Sequence, residues 1–170
     1  MTRCLIVDGY NIVNSWPELK SSQGESLEDS RCKLIELLED YRAYKGIKAI
    51  LVFDAHMVKG STEKHELCGG LEVVFTKENE TADAYIERLV NEVGRIYDIL
   101  VATSDWLEQQ VVLGRGAARI SARELHSEVM RARKVMKDRY ELRRSTEKHT
   151  IENRIDSDIF KKLDKMRREP

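Results

Sequence analysis

Four aspartates in this chain stand where carboxylates could act together. Asp8 follows the apolar run Cys4-Leu5-Ile6-Val7, Asp54 follows Lys48–Phe53, and Asp105 closes Ala102-Thr103-Ser104-Asp105. Asp83 falls just after Thr81, a residue suited to cap a helix. Carboxylates packed together repel unless a cation neutralises them or some stay protonated. Hard oxygen donors of this kind suit Mg²⁺ or Mn²⁺. Such ions lower the pKa of a bound water, and a pair about 3.5–4 Å apart can clamp the attacking and leaving oxygens of a phosphodiester. A single Asp after a strand is more often a turn or cap residue, so the joint placement carries the signal.

Competing uses of acids at strand ends fit less well. A haloacid-dehalogenase-type phosphatase needs a second acid two residues after the first, where this chain has Tyr10. A phosphoacceptor receiver domain wants a lysine after the fifth strand, but Ile120 leads into Ser121-Ala122-Arg123. The chain holds no G-x-x-x-x-G-K-[ST] loop, no G-x-G-x-x-G and no G-x-S-x-G elbow.

The acids must be positioned by strands, and the strands are visible as short apolar runs. Residues 4–7, Lys48–Phe53, Leu71–Phe75, 98–103 and 117–120 read as five strands, the first two buried on both faces. Gly9 lets the chain bend as it leaves the sheet. Helices are predicted between the strands: one from the capping Ser26 to Gly46 with Leu34, Leu37, Leu38 and Tyr41 inward, and one from Thr81 to about Tyr97. A short helix is expected after Trp106, over 107–113. Residues 55–70 are polar and read as a loop with at most one helical turn.

Ser121 and Glu124 fit a capping box opening a long basic helix to about Arg144. A hinge over 147–154 and a last helix over 155–168 follow. The alternation of strand and helix implies an α/β fold with a mostly parallel sheet flanked by helices. The acids then share the carboxyl edge of that sheet, where such folds bind ligands. Two parts are expected: a domain over 1–144 and a charged helical tail over 145–170.

Charge is unevenly spread. Of 29 Lys+Arg and 30 Asp+Glu, residues 1–114 hold 12 and 20, and residues 115–170 hold 17 and 10. An acidic body with a basic tail suggests cation binding in the first and polyanion contact through the second. Cys4, Cys32 and Cys68 are far apart with no C-x-x-C pair, which argues against a disulfide framework or zinc site and for a reducing compartment. No apolar run approaches membrane length, and the expected location is cytoplasmic.

Four blocks carry a resemblance: Val7-Asp8-Gly9-Tyr10-Asn11; Val52-Phe53-Asp54-Ala55-His56; Val74-Phe75-Thr76-Lys77-Glu78 with Glu80-Thr81-Ala82-Asp83; and Ala102-Thr103-Ser104-Asp105. In this order, over roughly residues 3–140, they resemble the NYN domain of the YacP type, one of the PIN-like nucleases. The resemblance implies a PIN-like, Rossmann-like three-layer domain and metal-dependent endoribonuclease activity. Asp8, Asp83 and Asp105 match the family's metal-binding positions, with Mg²⁺ or Mn²⁺ as cofactor. Asn11 matches the amide after the first acid, Asp54 the acid ending strand two, and Thr103 and Ser104 the hydroxyls beside the last acid. Of these, Asn11, Asp54 and Ser104 are expected to orient ligands or the attacking water. Association with the ribosome during translation is implied for bacterial members of this type. The segment after about Arg144 lies outside the resemblance.

Lys59, Ser61, Lys64 and Lys77 lie in loops expected near the acidic edge and are candidates to hold RNA phosphates. Arg131, Lys134 and Lys137 recur every three residues on the long helix and could form a basic stripe. Tyr10 and Trp16 could stack on bases, although packing is the commoner fate of such rings. The expected function is an endoribonuclease for single-stranded RNA, messenger RNA first. The alternatives are a catalytically silent RNA- or ribosome-binding module, and a nuclease for structured RNA or DNA. The sequence does not set the number of metals, the cleavage context or the oligomeric state.

Overall fold

The computed structural model describes residues 1–20, 25–105, 110 and 116–168, with the backbone alone described at 152, 153, 155–158, 160 and 168. Among these residues six strands form one sheet: β1 (Arg3–Asp8), β2 (Lys48–Phe53), β3 (Lys64–Cys68), β4 (Leu71–Phe75), β5 (Asp98–Ala102) and β6 (Ala118–Ile120). Their order is β3-β4-β2-β1-β5-β6, and of these pairings only β3–β4 is antiparallel. The helices described with them are α1 (Gly9–Ser15), α2 (Leu27–Lys45), α3 (Ala82–Val93) and α4 (Ala122–Arg168). A 3₁₀ turn, Pro17–Leu19, follows α1.

Strand alternation sorts the core into two layers. Leu5, Val7, Leu51 and Phe53 face one side, where α1, α2 and the first turns of α4 bring Ile12, Leu38 and Leu125. Cys4, Ile6, Ile50 and Val52 face the other, against Ala82, Tyr85, Ile86 and Val90 of α3. That i, i+3, i+4, i+8 stripe is why α3 lies on the sheet. Fully burying a residue such as Ile86 stabilises by about 1.5–3 kcal/mol, and Ile86→Asp would unseat the helix. The caps match the sequence reading. Ser26 and Asp29 form a reciprocal capping box, Thr81 Oγ1 accepts from Ala84 N–H, and Gly46 ends α2 at φ 65°.

Three expectations are corrected. The polar 55–70 segment contains β3, an edge strand held by its pairing with β4. The helix after Thr81 stops at Val93, four residues short of Tyr97. No hinge interrupts 147–154: α4 is helical throughout, since that stretch has neither Gly nor Pro to break it. The short helix expected over 107–113 lies outside the described residues, apart from residue 110.

The chain divides into two compact units, Met1–Ala132 and Arg133–Pro170. The first contains the whole sheet and both core layers. The second is a helix with exposed side chains that include Tyr140, Leu142 and Ile151. Among the described residues no helix is long and apolar enough to cross a membrane.

Candidate active site

Parallel pairing puts the carboxyl ends of β4, β2, β1 and β5 along one edge. Asp8 ends β1 and caps α1, its Oδ1 accepting from Asn11 N–H at 3.4 Å. Its side chain is drawn into the fold at 9% exposure. Gly9 is needed here for space: a Cβ would lie 2.4 Å from the Phe53 ring and 3.0 Å from Val52 O. The sharp exit from β1 therefore depends on close packing, with no positive φ at Gly9.

The register of β1 with β5 pairs Val7 with Ala102, so Asp8 and residues 103–105 leave adjacent strands together. Asn11 joins them: its Oδ1 accepts from Ser104 N–H at 2.8 Å. Ser104 Oγ accepts from Ala122 N–H at 3.2 Å, and Thr103 N–H donates to Ile120 O at 3.1 Å. Buried Thr103 turns its hydroxyl oxygen to Asp105 N–H at 3.1 Å. Asn11, Thr103 and Ser104 thus act as braces of the loop that carries Asp105.

Asp54 has a comparable structural task. Its Oδ1 accepts from the backbone N–H of His56 at 2.9 Å and pairs with the His56 ring. Its Oδ2 accepts from Ala82 N–H at 3.2 Å. Desolvation works against ionisation of Asp54, but the hydrogen bonds from His56 and Ala82 outweigh it and hold the pKa below its ordinary value. Because Ala82 precedes Asp83, this carboxylate ties the end of β2 to the start of the helix that presents Asp83. Thr76, part of a motif block in the sequence but given no role there, completes the anchor. It is fully buried, its Oγ1 accepts from Ala55 N–H at 2.9 Å, and its N–H reaches Phe53 O at 3.0 Å. A small hydroxyl residue directly after β4 was the available signal.

Asp83, in the first turn of α3, and Asp105 are both exposed. Asp8, Asp83 and Asp105 offer hard carboxylate oxygens, so the donor chemistry fits a divalent cation. Yet among the described residues no group of three or more His, Cys, Asp or Glu side chains is arranged to hold a metal ion. The edge supplies suitable donors without a preformed cage.

The candidate RNA-binding residues fall in two places. Lys59 and Ser61 belong to the β2–β3 segment and Lys77 to the β4–α3 segment, whereas Lys64, expected in a loop, opens β3 through its pairing with Phe75 of β4. Those two segments are stapled by Gly60 N–H to Glu78 Oε2 at 2.9 Å and Glu78 N–H to Ser61 O at 3.0 Å. Lys59 and Lys77 are exposed, whereas Ser61 Oγ donates to Ala55 O at 3.2 Å. Lys64 pairs with Glu66 at 2.7 Å. Arg131, Lys134 and Lys137 belong to α4, Arg131 in the first unit and the two lysines in the second.

Trp16 is core: it is 1% exposed, and its Nε1 donates to Ala122 O at 2.8 Å. Tyr10 is half-buried on Phe53, and its hydroxyl accepts from Arg31 at 3.0 Å. A cavity of about 440 Å³ lies at the opposite end of β5, lined by Met1, Gly94, Tyr97 and Asp98. It is remote from the acidic edge by topology and takes no part in the site.

Comparison with known proteins agrees with this architecture. The YacP-like NYN domain matches over residues 5–168. The YacP protein of Bacillus subtilis (strain 168) is 42% identical over 165 residues, covering 96% of each chain. The crystal structure of Rae1 (YacP) from Bacillus subtilis is 41% identical, with a TM-score of 0.74 over 98% of this chain and 95% of that one. A crystal structure of a mutant form of Rae1 is 42% identical and superimposes with a TM-score of 0.71 over 81% of each chain. With this α/β fold, its order of strands and near full-length similarity, the chain belongs to the YacP-like NYN domain family.

Proposed function

We propose that this chain is a metal-dependent endoribonuclease that hydrolyses phosphodiester bonds in single-stranded RNA, with messenger RNA on the translating ribosome as its natural substrate. The observation that carries the reading is the hydrogen bond from Ser104 N–H to Asn11 Oδ1. It couples the loop of Asp105 to the turn that follows Asp8. Family membership and the hard-oxygen donor set at one sheet edge support it.

Asp8, Asp83 and Asp105 would hold Mg²⁺ or Mn²⁺. When bound, the cation supplies an activated water and neutralises charge on the phosphate. Asn11 and Ser104 hold the Asp105 loop in register with β1, and Asp54 sets the start of α3. Lys59 and Lys77 extend from the same edge to RNA phosphates, where positive charge is favourable whatever the sequence. Hydrolysis by water in this arrangement leaves a 5′-phosphate.

The test is cleavage by purified protein with Mg²⁺ or Mn²⁺, and mapping of cut ends on messenger RNA in a translation reaction with and without it. Asp8→Asn is the informative variant, because Asn caps a helix as well as Asp does. It should keep the fold and lose at least about a hundredfold in rate. Undiminished metal-dependent cutting by Asp8→Asn refutes the assignment.

Among the described residues no group of three or more His, Cys, Asp or Glu side chains is arranged to hold a metal ion, and this favours one second reading, a module that binds RNA or the ribosome without cutting. Cosedimentation with ribosomes but no cleavage, with Mn²⁺ and translating substrate present, selects it.

A further inference from the structure

A groove of about 420 Å³ runs between the outer strand β6 and the first turns of α4, wholly inside the Met1–Ala132 unit. Arg119, Arg123 and Arg131 line it, and all three are exposed. Two acids share the groove, and both have other work. Glu124 accepts from Ser121 N–H at 2.8 Å in the cap of α4, and that bond does more than the nearby Arg119 charge to keep it ionised. Glu128 accepts from Tyr41 Oη at 2.8 Å and lies 3.8 Å from Lys45 Nζ. Among the described residues none of the three guanidinium groups has a hydrogen bond or an ion pair. These three cations without direct partners on one concave surface belong to the basic 115–170 part of the chain, 17 bases against 10 acids, and border a part whose first 114 residues carry 20 acids against 12 bases.

The groove also adjoins the candidate active site. Ile120, one of its lining residues, accepts from Thr103 N–H through its carbonyl. Ala122 N–H donates to Ser104 Oγ at the same junction. From Arg123 to Arg131 the helix advances about 12 Å, so the cations are spread along a track and not focused on one point. Guanidinium groups bind phosphate oxygens through paired donors.

We infer that Arg119, Arg123 and Arg131 form an exit track for the phosphate backbone of single-stranded RNA leaving the acidic edge between β1 and β5. This deepens the nuclease reading and rests on it for the direction of the strand. The three contacts hold backbone and carry no base preference.

The test is binding of a fluorescein-labelled twelve-nucleotide oligouridine in EDTA, so that no cleavage is read. Arg119→Ala/Arg123→Ala/Arg131→Ala should weaken binding at least about tenfold at low salt, and flatten the slope of log affinity against log salt by about 2. The control, Arg3→Ala/Lys33→Ala/Lys48→Ala, removes the same charge elsewhere and should stay within about twofold. A triple-lysine version of the groove restores charge and should recover most of the salt slope, which separates contact loss from misfolding. Equal losses in both alanine variants, no loss in either, or no binding by the unaltered protein overturns the inference. Loss of poly-glutamate binding with RNA binding intact also overturns it, by assigning the groove to an acidic protein. Because cleavage is not read, failure of this test leaves the nuclease reading standing. An absence of nuclease activity with the expected binding losses would leave the groove standing without its direction.

Discussion

Asn11 Oδ1 accepts the backbone N–H of Ser104 at 2.8 Å, a bond that spans 93 positions of sequence and joins the first turn of α1 to the loop after β5. It sets the loop of Asp105 against the turn that Asp8 caps. Asn11→Ala leaves the Ser104 N–H to water, since that residue is exposed, and should cost only about 1 kcal/mol of stability. Its effect on cleavage should be larger, about tenfold or more, because a small misplacement of a reacting geometry is costly. Thermal unfolding and single-turnover cleavage measured on one preparation compare the two. A rate loss no greater than the stability loss would demote Asn11 to an ordinary loop contact.

Asp54 should behave as a positioning residue. In Asp54→Asn one terminal oxygen becomes an amide nitrogen, which only donates, so the single remaining oxygen can accept from Ala82 N–H or from His56 N–H but not from both. The expected destabilisation is about 1.5–3 kcal/mol, the range for hydrogen bonds to a charged acceptor. Cleavage should fall with it while activity per bound Mn²⁺ is partly retained, unlike Asp8→Asn. Denaturant melts and Mn²⁺ titrations of rate read the contrast. Asp54→Asn with unchanged stability and complete loss of metal response would make Asp54 a ligand instead.

The sequence made much of this edge legible because buried parallel strands are written as uninterrupted apolar runs. Lys48–Phe53 and Leu71–Phe75 were readable to the residue, and Asp98–Ala102 missed by one. β3 was not legible, since Lys64, His65, Glu66, Leu67 and Cys68 on an exposed edge show no hydrophobic pattern and are held only by β4. The polar 147–154 stretch misled in the other direction, because polarity alone does not end a helix. At the site, the positions of Asp8 and Asp54 followed from strand ends and that of Asp83 from the cap at Thr81, but the bracing roles of Asn11, Asp54 and Thr76 depend on partners far along the chain. The arginines of the β6–α4 groove belong to the same class. Arg119 and Arg131 sit twelve residues apart in sequence, and only the turn from strand to helix brings them together.

Gly9→Ala tests how tightly the exit from β1 is packed. The added methyl meets the Phe53 ring at 2.4 Å and the carbonyl of Val52 at 3.0 Å, and the ring is itself fully buried. The ring must shift or the α1 turn must lift, at about 1–3 kcal/mol. Either motion disturbs Asp8, whose oxygen caps that turn. A melt of Gly9→Ala within about 0.5 kcal/mol of the unaltered protein would show that the junction has slack and that the close approach is not required.

The start of β3 carries a pH-dependent clasp. His65 pairs with Glu63 at 2.9 Å and Glu72 at 3.1 Å, while Arg88 of α3 holds Glu63 at 2.9 Å and Glu80 at 3.1 Å. Hydrogen bonds to Glu63 and Glu72 raise the His65 pKa above 6.5. The hydrogen bond from His65 does most to lower that of Glu63 below 4.5, with Arg88 assisting against desolvation. The His65 contribution is complete below 6.5 and is lost as pH rises through its raised value. The Glu63 contribution is complete above 4.5 and is lost as pH falls through its lowered value. The clasp is therefore strongest between those two ordinary values. These groups are well exposed, so solvent screening limits the effect to less than about 1 kcal/mol. Denaturant unfolding should show His65→Gln less stable than the unaltered protein at about pH 5.5, with the gap closing near pH 8.5 and in about 0.5 M salt. A gap that is the same at both pH values would mean that His65 contributes by packing against β4 and not by charge.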